Sequence, residues 1–169
     1  RGSYNTALLR ALAQEAPAGV ELKIQSISGI PIYNDDDEAA SGKPELVKAL
    51  DAAIRQAQGV IISTAEYNFG IPGGLKNASD WLSRHGSPLQ GKPVGVMGAS
   101  QGPVGTARVQ YDLRKNLQAH EALVMPKPEI FVGNAQTKFN EAGKLTDEPT
   151  RQHLAKWLAA FVAWVKRVG

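Results

Sequence analysis

Gly59-Val60-Ile61-Ile62-Ser63-Thr64 runs directly into Ala65-Glu66-Tyr67-Asn68-Phe69-Gly70-Ile71-Pro72-Gly73-Gly74, and Leu75 to Arg84 follows. The first piece is short, apolar and β-branched, the composition of a strand buried on both faces. The last piece has helical periodicity, and Pro-Gly-Gly punctuates the turn into it. Strand, loop and helix in this order make half of a βαβ unit, which calls for a second parallel strand. Pro93-Val94-Gly95-Val96-Met97-Gly98 supplies it and leads into Ala99-Ser100-Gln101-Gly102-Pro103-Val104-Gly105.

The alternation continues outward in both directions. Upstream, Ser3-Tyr4-Asn5-Thr6 opens a helix through Ala7 to Ala13 that stops before Pro17. Val20 to Ile27 alternates apolar and polar residues, as a half-exposed strand does. Beyond a loop with Gly29, Pro31 and the run Asp35 to Glu38, Pro44 suits the first turn of a helix. Leu46, Val47, Leu50 and Ile54 fall on one face of that helix. Downstream, a helix through Tyr111, Leu113 and Leu117 precedes an interrupted strand at Leu123–Met125 and Ile130–Val132. A last helix carries Leu154, Trp157, Leu158, Phe161, Val165 and Val168.

This order predicts an α/β fold, a doubly wound parallel sheet with helices on both faces, in one domain spanning residues 1–169. The pattern opens on a helix where such a sheet normally begins with a central strand. The expectation is therefore five strands, the first of them missing from this sequence, which begins at Arg1.

Composition narrows the function. With 169 residues, 43% of them hydrophobic and 21% charged, the chain has an ordinary globular core. No cysteine is present, which excludes disulfides, thiolate metal sites and a cysteine nucleophile, and suits a reducing cytoplasm. No apolar run reaches the roughly 18 residues of a membrane span, so no membrane partner is expected. The net charge of +3 comes from scattered basic residues not interleaved with aromatics. That argues against nucleic acid and suits a mild positive field around a site for anionic substrates.

Four motifs are set aside. Gly86-Ser87-Pro88-Leu89-Gln90-Gly91-Lys92 begins like a phosphate-binding loop, but Pro93 replaces the magnesium-binding hydroxyl and a strand follows. Asn77-Ala78-Ser79 matches a glycosylation acceptor inside an expected helix. His85, His120 and His153 lack metal-site spacing and read as surface histidines, and no metal ligand is expected. Asp35 to Glu38 reads as a solvated loop.

Ligands of open parallel sheets bind beyond the carboxyl ends of the strands. Three loops belong there. Gly2 to Thr6 offers hydroxyl and amide groups at a helix start, where free N–H groups attract anions, although a lone Ser3 or Asn5 also suits an N-cap. Thr64 to Gly74 joins the aromatic Tyr67 and Phe69 to the polar Glu66 and Asn68. Ser100 to Gly105 has small residues that let backbone approach a flat ligand, or simply make a tight turn. Together they suit a phosphorylated planar cofactor.

These stretches resemble the NADPH-dependent FMN reductase family, and its bacterial quinone and chromate reductase branch in particular. The likeness rests on Gly2-Ser3-Tyr4-Asn5, Glu66-Tyr67-Asn68, Ile71 to Trp81, Gly91-Lys92-Pro93, Ser100-Gln101-Gly102, Arg108 to Tyr111 and Met125 to Glu129. It implies a flavodoxin-like fold, FMN as cofactor, NAD(P)H as co-substrate, and quinones, flavins or metal oxyanions such as chromate as small-molecule acceptors. By this resemblance Ser3, Asn5 and Thr6 hold the phosphate, Arg1 matching a position beside the family's phosphate-binding arginine. Ala65, Glu66, Tyr67, Asn68 and Phe69 line the flavin ring, and Ser100, Gln101, Gly102 and Gly105 border its other edge. Ala65 stands where the family usually has proline, which frees the loop. Arg108, Tyr111 and Glu129 correspond to a polar network between subunits of a homodimer or homotetramer. The flavin carries the chemistry, so no catalytic side chain is assigned. The alternative is a flavodoxin-type electron carrier that does not oxidise NAD(P)H directly.

Overall fold

Side chains of a strand point alternately to opposite faces, and in this protein that alternation divides the core in two. The computed structural model describes residues 2–169; Arg1, with its comparison to the phosphate-binding position, lies outside the described residues. In chain order the elements are α1 (Tyr4–Gln14), α2 (Asp35–Ser41), α3 (Glu45–Gln56), β1 (Val60–Ser63), α4 (Gly73–Ser83), β2 (Pro93–Ala99), α5 (Ala107–Ala119), β3 (Leu123–Val124), β4 (Phe131–Val132) and α6 (Glu148–Val168).

The sheet is parallel and centred on β2. Val60 to Ser63 of β1 lie opposite Val94 to Met97. Leu123 of β3 lies opposite Pro93, and Phe131 of β4 opposite Gly98, so β3 and β4 are the two pieces of the interrupted strand. Met125 N–H still donates to Val94 O before the chain leaves the path. Arg114 Nη1 on α5 then donates to Met125 O at 2.8 Å, and Gln110 Nε2 to Ile130 O at 2.9 Å. Two side chains of one helix thus bridge the break.

On one face Met97 and Ala99 pack with α1 and α6 through Leu8, Leu12, Leu154, Trp157 and Phe161. On the other, Val94 and Val96 pack with α3, α4 and α5 through Ile54, Leu82, Leu113 and Leu117. Gly95 is glycine because a Cβ there would lie 2.6 Å from the Trp157 ring. Helices on both faces of a parallel sheet are the expected architecture, but several local readings change.

Val20–Ile27 forms no strand: the four strands of the described sheet are β1, β2 and the two pieces, β3 and β4, of the interrupted one. A strand exists only through its neighbour. Among the described residues β1 pairs with β2 alone, and no backbone hydrogen bond joins residues 21–27 to the sheet. For the same reason β1 is half-buried, while all seven residues of β2 are buried.

The acidic run is the first turn of α2. Asn34 Oδ1 accepts from Asp36 N–H at 2.8 Å, and carboxylates stabilise a helix start. Glu38 is buried and accepts from Tyr33 Oη–H (3.0 Å) and Arg84 Nε (2.8 Å). Asn77, in the apparent glycosylation triplet, is buried too. It accepts Tyr33 N–H at 2.8 Å and donates to Pro31 O at 2.9 Å, fastening the loop before α2 to α4.

His120 is also buried, not at the surface. Its Nε2 lies 2.8 Å from Ser79 Oγ and its Nδ1 2.7 Å from Ser87 Oγ. The Ser79 hydroxyl donates to Asn116 Oδ1, so it accepts from the imidazole. Ser87 Oγ accepts from Leu89 N–H, and its own hydrogen is free for Nδ1. A neutral ring protonated on Nε2 satisfies the whole chain. Burial, outweighing the nearby Asp80 carboxylate and helped by Lys76, holds His120 below the ordinary histidine value of 6.5. The folded state therefore binds fewer protons, and this stabilisation is complete above about pH 6.5 and lost as pH falls below it. Urea midpoints followed by tryptophan fluorescence should drop between about pH 7 and 5, and His120→Gln should flatten that part of the profile.

Candidate functional site

The site begins with an amide that behaves like a piece of backbone. Asn5, in the first turn of α1, donates from Nδ2 to Ala99 O at 3.0 Å and accepts Ala99 N–H on Oδ1 at 2.9 Å. The same Oδ1 accepts from Ser63 Oγ–H at 3.1 Å. One side chain thus ties the start of α1 to the carboxyl ends of β1 and β2. Its oxygen is fully engaged, while Nδ2 spends one hydrogen on Ala99 O and keeps the other beside the backbone N–H of the helix start.

Ser3 is the N-cap of α1, its Oγ accepting Thr6 N–H at 3.3 Å. Among the described residues the N–H groups of Tyr4 and Asn5 have no partner, as the first turn of a helix dictates. They point outward with the positive end of the helix dipole. Ser3 and Thr6 add hydroxyls beside them, so this corner suits a phosphate.

The loop after β1 is held from below. Thr64 is buried, its N–H donating to Met97 O at 3.0 Å and its hydroxyl to Ala65 O at 2.8 Å. A Cβ on Gly98 would collide with Thr64 O and Thr106 Oγ1, so only glycine lets β2 pass beneath this loop. Tyr67 and Gly70 form a two-bond bridge around Asn68 and Phe69, whose φ values are 51° and 66°. Both central residues of a type I′ turn require positive φ, which is uncommon for phenylalanine. Tyr67 and Phe69 are each 66% exposed, so their rings face outward instead of filling the core.

Glu66 turns its side chain toward α5. Its side chain is only 6% exposed. Oε2 accepts Val109 N–H in the first turn of α5 at 3.1 Å, and Oε1 accepts from Arg108 Nε at 2.8 Å. Thr106, the residue that should cap α5, makes no capping bond, because its hydroxyl accepts from Gln110 Nε2 instead. The Arg108 guanidinium lies 4.0 Å from the centre of the Phe69 ring. Sequence reasoning placed Arg108 only in a subunit contact; no local pattern marks a pairing 42 residues apart.

Ser100 to Gly105 rests on the chain beyond β4. Ser100 N–H donates to Val132 O, while Asn134 and Ala135 N–H donate to Gly102 O and Ser100 O. Gly105 has φ 65° and a Cβ there would lie 3.0 Å from the Phe131 carbonyl carbon, so packing by itself requires glycine at this position. Gln101 and Gly102 remain exposed, and Ser100 Oγ accepts Gly102 N–H at 3.0 Å. Ala65 is partly buried.

Unpaired helix-start amides, exposed aromatic rings on a constrained turn and a glycine-lined edge all meet at the carboxyl edge of one sheet. That donor set fits a flat, phosphorylated ring, and it defines the class of α/β flavin-binding proteins. The profile of the family described as NADPH-dependent FMN reductase matches residues 1–137. A quinone reductase of Escherichia coli strain K12 is 46% identical over 171 residues, covering 99% of this chain and 91% of that protein. An NAD(P)H-dependent FMN reductase of Pseudomonas aeruginosa is 40% identical over 168 residues, covering 99% and 90%. The solved structure of FerB, a flavoenzyme NAD(P)H:(acceptor) oxidoreductase from Paracoccus denitrificans, superposes with a TM-score of 0.89 at 33% identity, covering 100% of this chain and 93% of that one. The chain belongs to the NADPH-dependent FMN reductase family and has its flavodoxin-like fold.

If Asn5 is the strut of this corner, Asn5→Asp should be worse than a loss of one contact. The carboxylate would still accept from Ala99 N–H and Ser63, but would face Ala99 O without a hydrogen. We expect destabilisation of about 2 kcal/mol by urea unfolding, with Ser63→Ala costing less.

Proposed function

We propose that this protein is an NAD(P)H-dependent reductase that uses FMN to pass electrons to quinones. The reading is carried by the constrained aromatic turn Tyr67–Gly70 facing outward beside the open start of α1, in a chain 46% identical to a quinone reductase. Ser3, Thr6 and the free amides of the first turn of α1 hold the phosphate, and Asn5 positions them through Ala99 and Ser63. Tyr67, Asn68 and Phe69 frame one side of the ring, with Ala65 at its base. Ser100, Gln101 and Gly102 border the other.

A bound FMN would supply the two-electron chemistry that links NAD(P)H oxidation to reduction of the acceptor. The protein's part is to orient the reactants on one exposed face, which nicotinamide and acceptor use in turn. Backbone amides near the ring stabilise negative charge there. The open face leaves room for free flavins and for metal oxyanions such as chromate, and a chain without cysteine suits the reducing cytoplasm. No helix of the described residues is long and apolar enough to cross a membrane.

The same reading includes a homodimer or homotetramer. Tyr111 is 61% exposed one turn beyond Arg108 on α5, and Glu129 ends the α5-bridged break in the last strand. These residues, with the outer edge of Arg108, form a subunit contact. Tyr111→Asp should shift the sedimentation coefficient to a smaller species.

The enzymatic reading is tested by adding NADPH to the FMN-loaded protein without oxygen. We expect prompt loss of flavin absorbance and its return when a quinone is added. Flavin that stays oxidised with NADPH but is reduced by a partner reductase would make the protein a carrier instead.

A further inference from the structure

Three observations around Glu66 converge. The carboxylate is nearly sealed from solvent yet makes no contact with an open ligand surface; both oxygens are spent on α5. It caps the first turn of α5, where the residue in capping position does not. The Arg108 it holds is laid over Phe69, the residue with the least comfortable backbone in the turn. A carboxylate at a helix start gains from the exposed amides and from the dipole together. An arginine that also covers an aromatic ring adds a cation–π contact.

We propose that Glu66 and Arg108 are positioning residues: a clamp that locks the Tyr67–Gly70 turn onto α5 and so sets the wall against which the flavin ring lies. Glu66 acts through Val109 N–H and Arg108, and Arg108 acts through Phe69. The clamp offsets the cost of two consecutive left-handed residues, Asn68 and Phe69, that the turn demands. It also does what a proline at position 65 would do for the loop, by tertiary contact instead of by backbone restriction. The proposal rests on the FMN reading above for the clamp's purpose, but not for its existence.

The clamp is tested in two arms on the full chain. In the first, apoprotein is treated with chymotrypsin and cleavage after Tyr67 and Phe69 is timed. Glu66→Gln and Arg108→Ala should each speed cleavage, Arg108→Lys should do so less, and the double variant should add little to either single change. In the second, FMN is titrated and the visible circular dichroism of the bound flavin recorded. Both variants should weaken FMN by about tenfold and alter the dichroism, with partial rescue by Arg108→Lys.

A variant that only destabilised the fold would lower the unfolding temperature without a changed dichroism in the protein that still binds flavin. Unchanged cleavage in both single variants would overturn the clamp outright. Faster cleavage with unchanged FMN affinity and dichroism would overturn its role in setting the flavin wall. Failure of the unaltered protein to take up FMN would sink the flavin reading, while the proteolysis arm would still decide the clamp.

Discussion

Seven consecutive residues, Pro93 to Ala99, are closed off from solvent, with strands on both edges and helices on both faces. Everything else in the protein is registered against them. A strand in that position has no surface to spare for polar side chains, and this one has none. Its glycines answer neighbours and not turns. Gly95 admits Trp157, and Gly98 admits the Thr64 carbonyl and the Thr106 hydroxyl. The second of these decides function as well as packing, because Thr64 is the first residue of the loop that carries the aromatic turn. The height of that loop above the sheet follows from the absence of one Cβ.

The site is then assembled by polar residues whose hydrogen bonds end on the frame. Asn5 mimics a strand and ties α1 to the ends of β1 and β2. Glu66 substitutes for a helix cap and ties the aromatic turn to α5. Ser100 and Gly102 are carried on backbone bonds from the far side of β4. In each case a polar group that the family resemblance assigns to the cofactor spends its hydrogen bonds on the frame. What is left for a ligand is mostly backbone N–H, hydroxyl and aromatic surface. A cofactor that brings its own chemistry asks for little more than that.

The alternation of helical and strand periods was enough to recover α1, α3, α4, α5, α6 and the interrupted last strand, because those segments bury one face against a sheet and their patterns record it. The same reasoning misplaced Val20–Ile27, where the alternation is present but no pairing partner is among the described residues. It missed α2, since four acidic residues in a row look solvated until an Asn34 cap and an Arg84 partner are seen. It put His120 at the surface, because nothing near it in sequence reveals that Ser79, 41 residues earlier, shares its proton.

By itself the sequence determined the architecture, the edge of the sheet that carries the site and the chemical class of the ligand. All three are written in local patterns: apolar strands, helix-start hydroxyls, and aromatics placed in a loop. Only the tertiary structure decided which of those residues stand exposed and which spend their hydrogen bonds holding the others still. Glu66 and Asn5 are polar residues in the right loops, and no local rule separates a ligand from a strut. The distinction lies in where their hydrogen bonds end, on Val109 and Arg108 for one and on Ala99 and Ser63 for the other. Those partners are 42 to 94 residues away along the chain, and only folding brings them within reach.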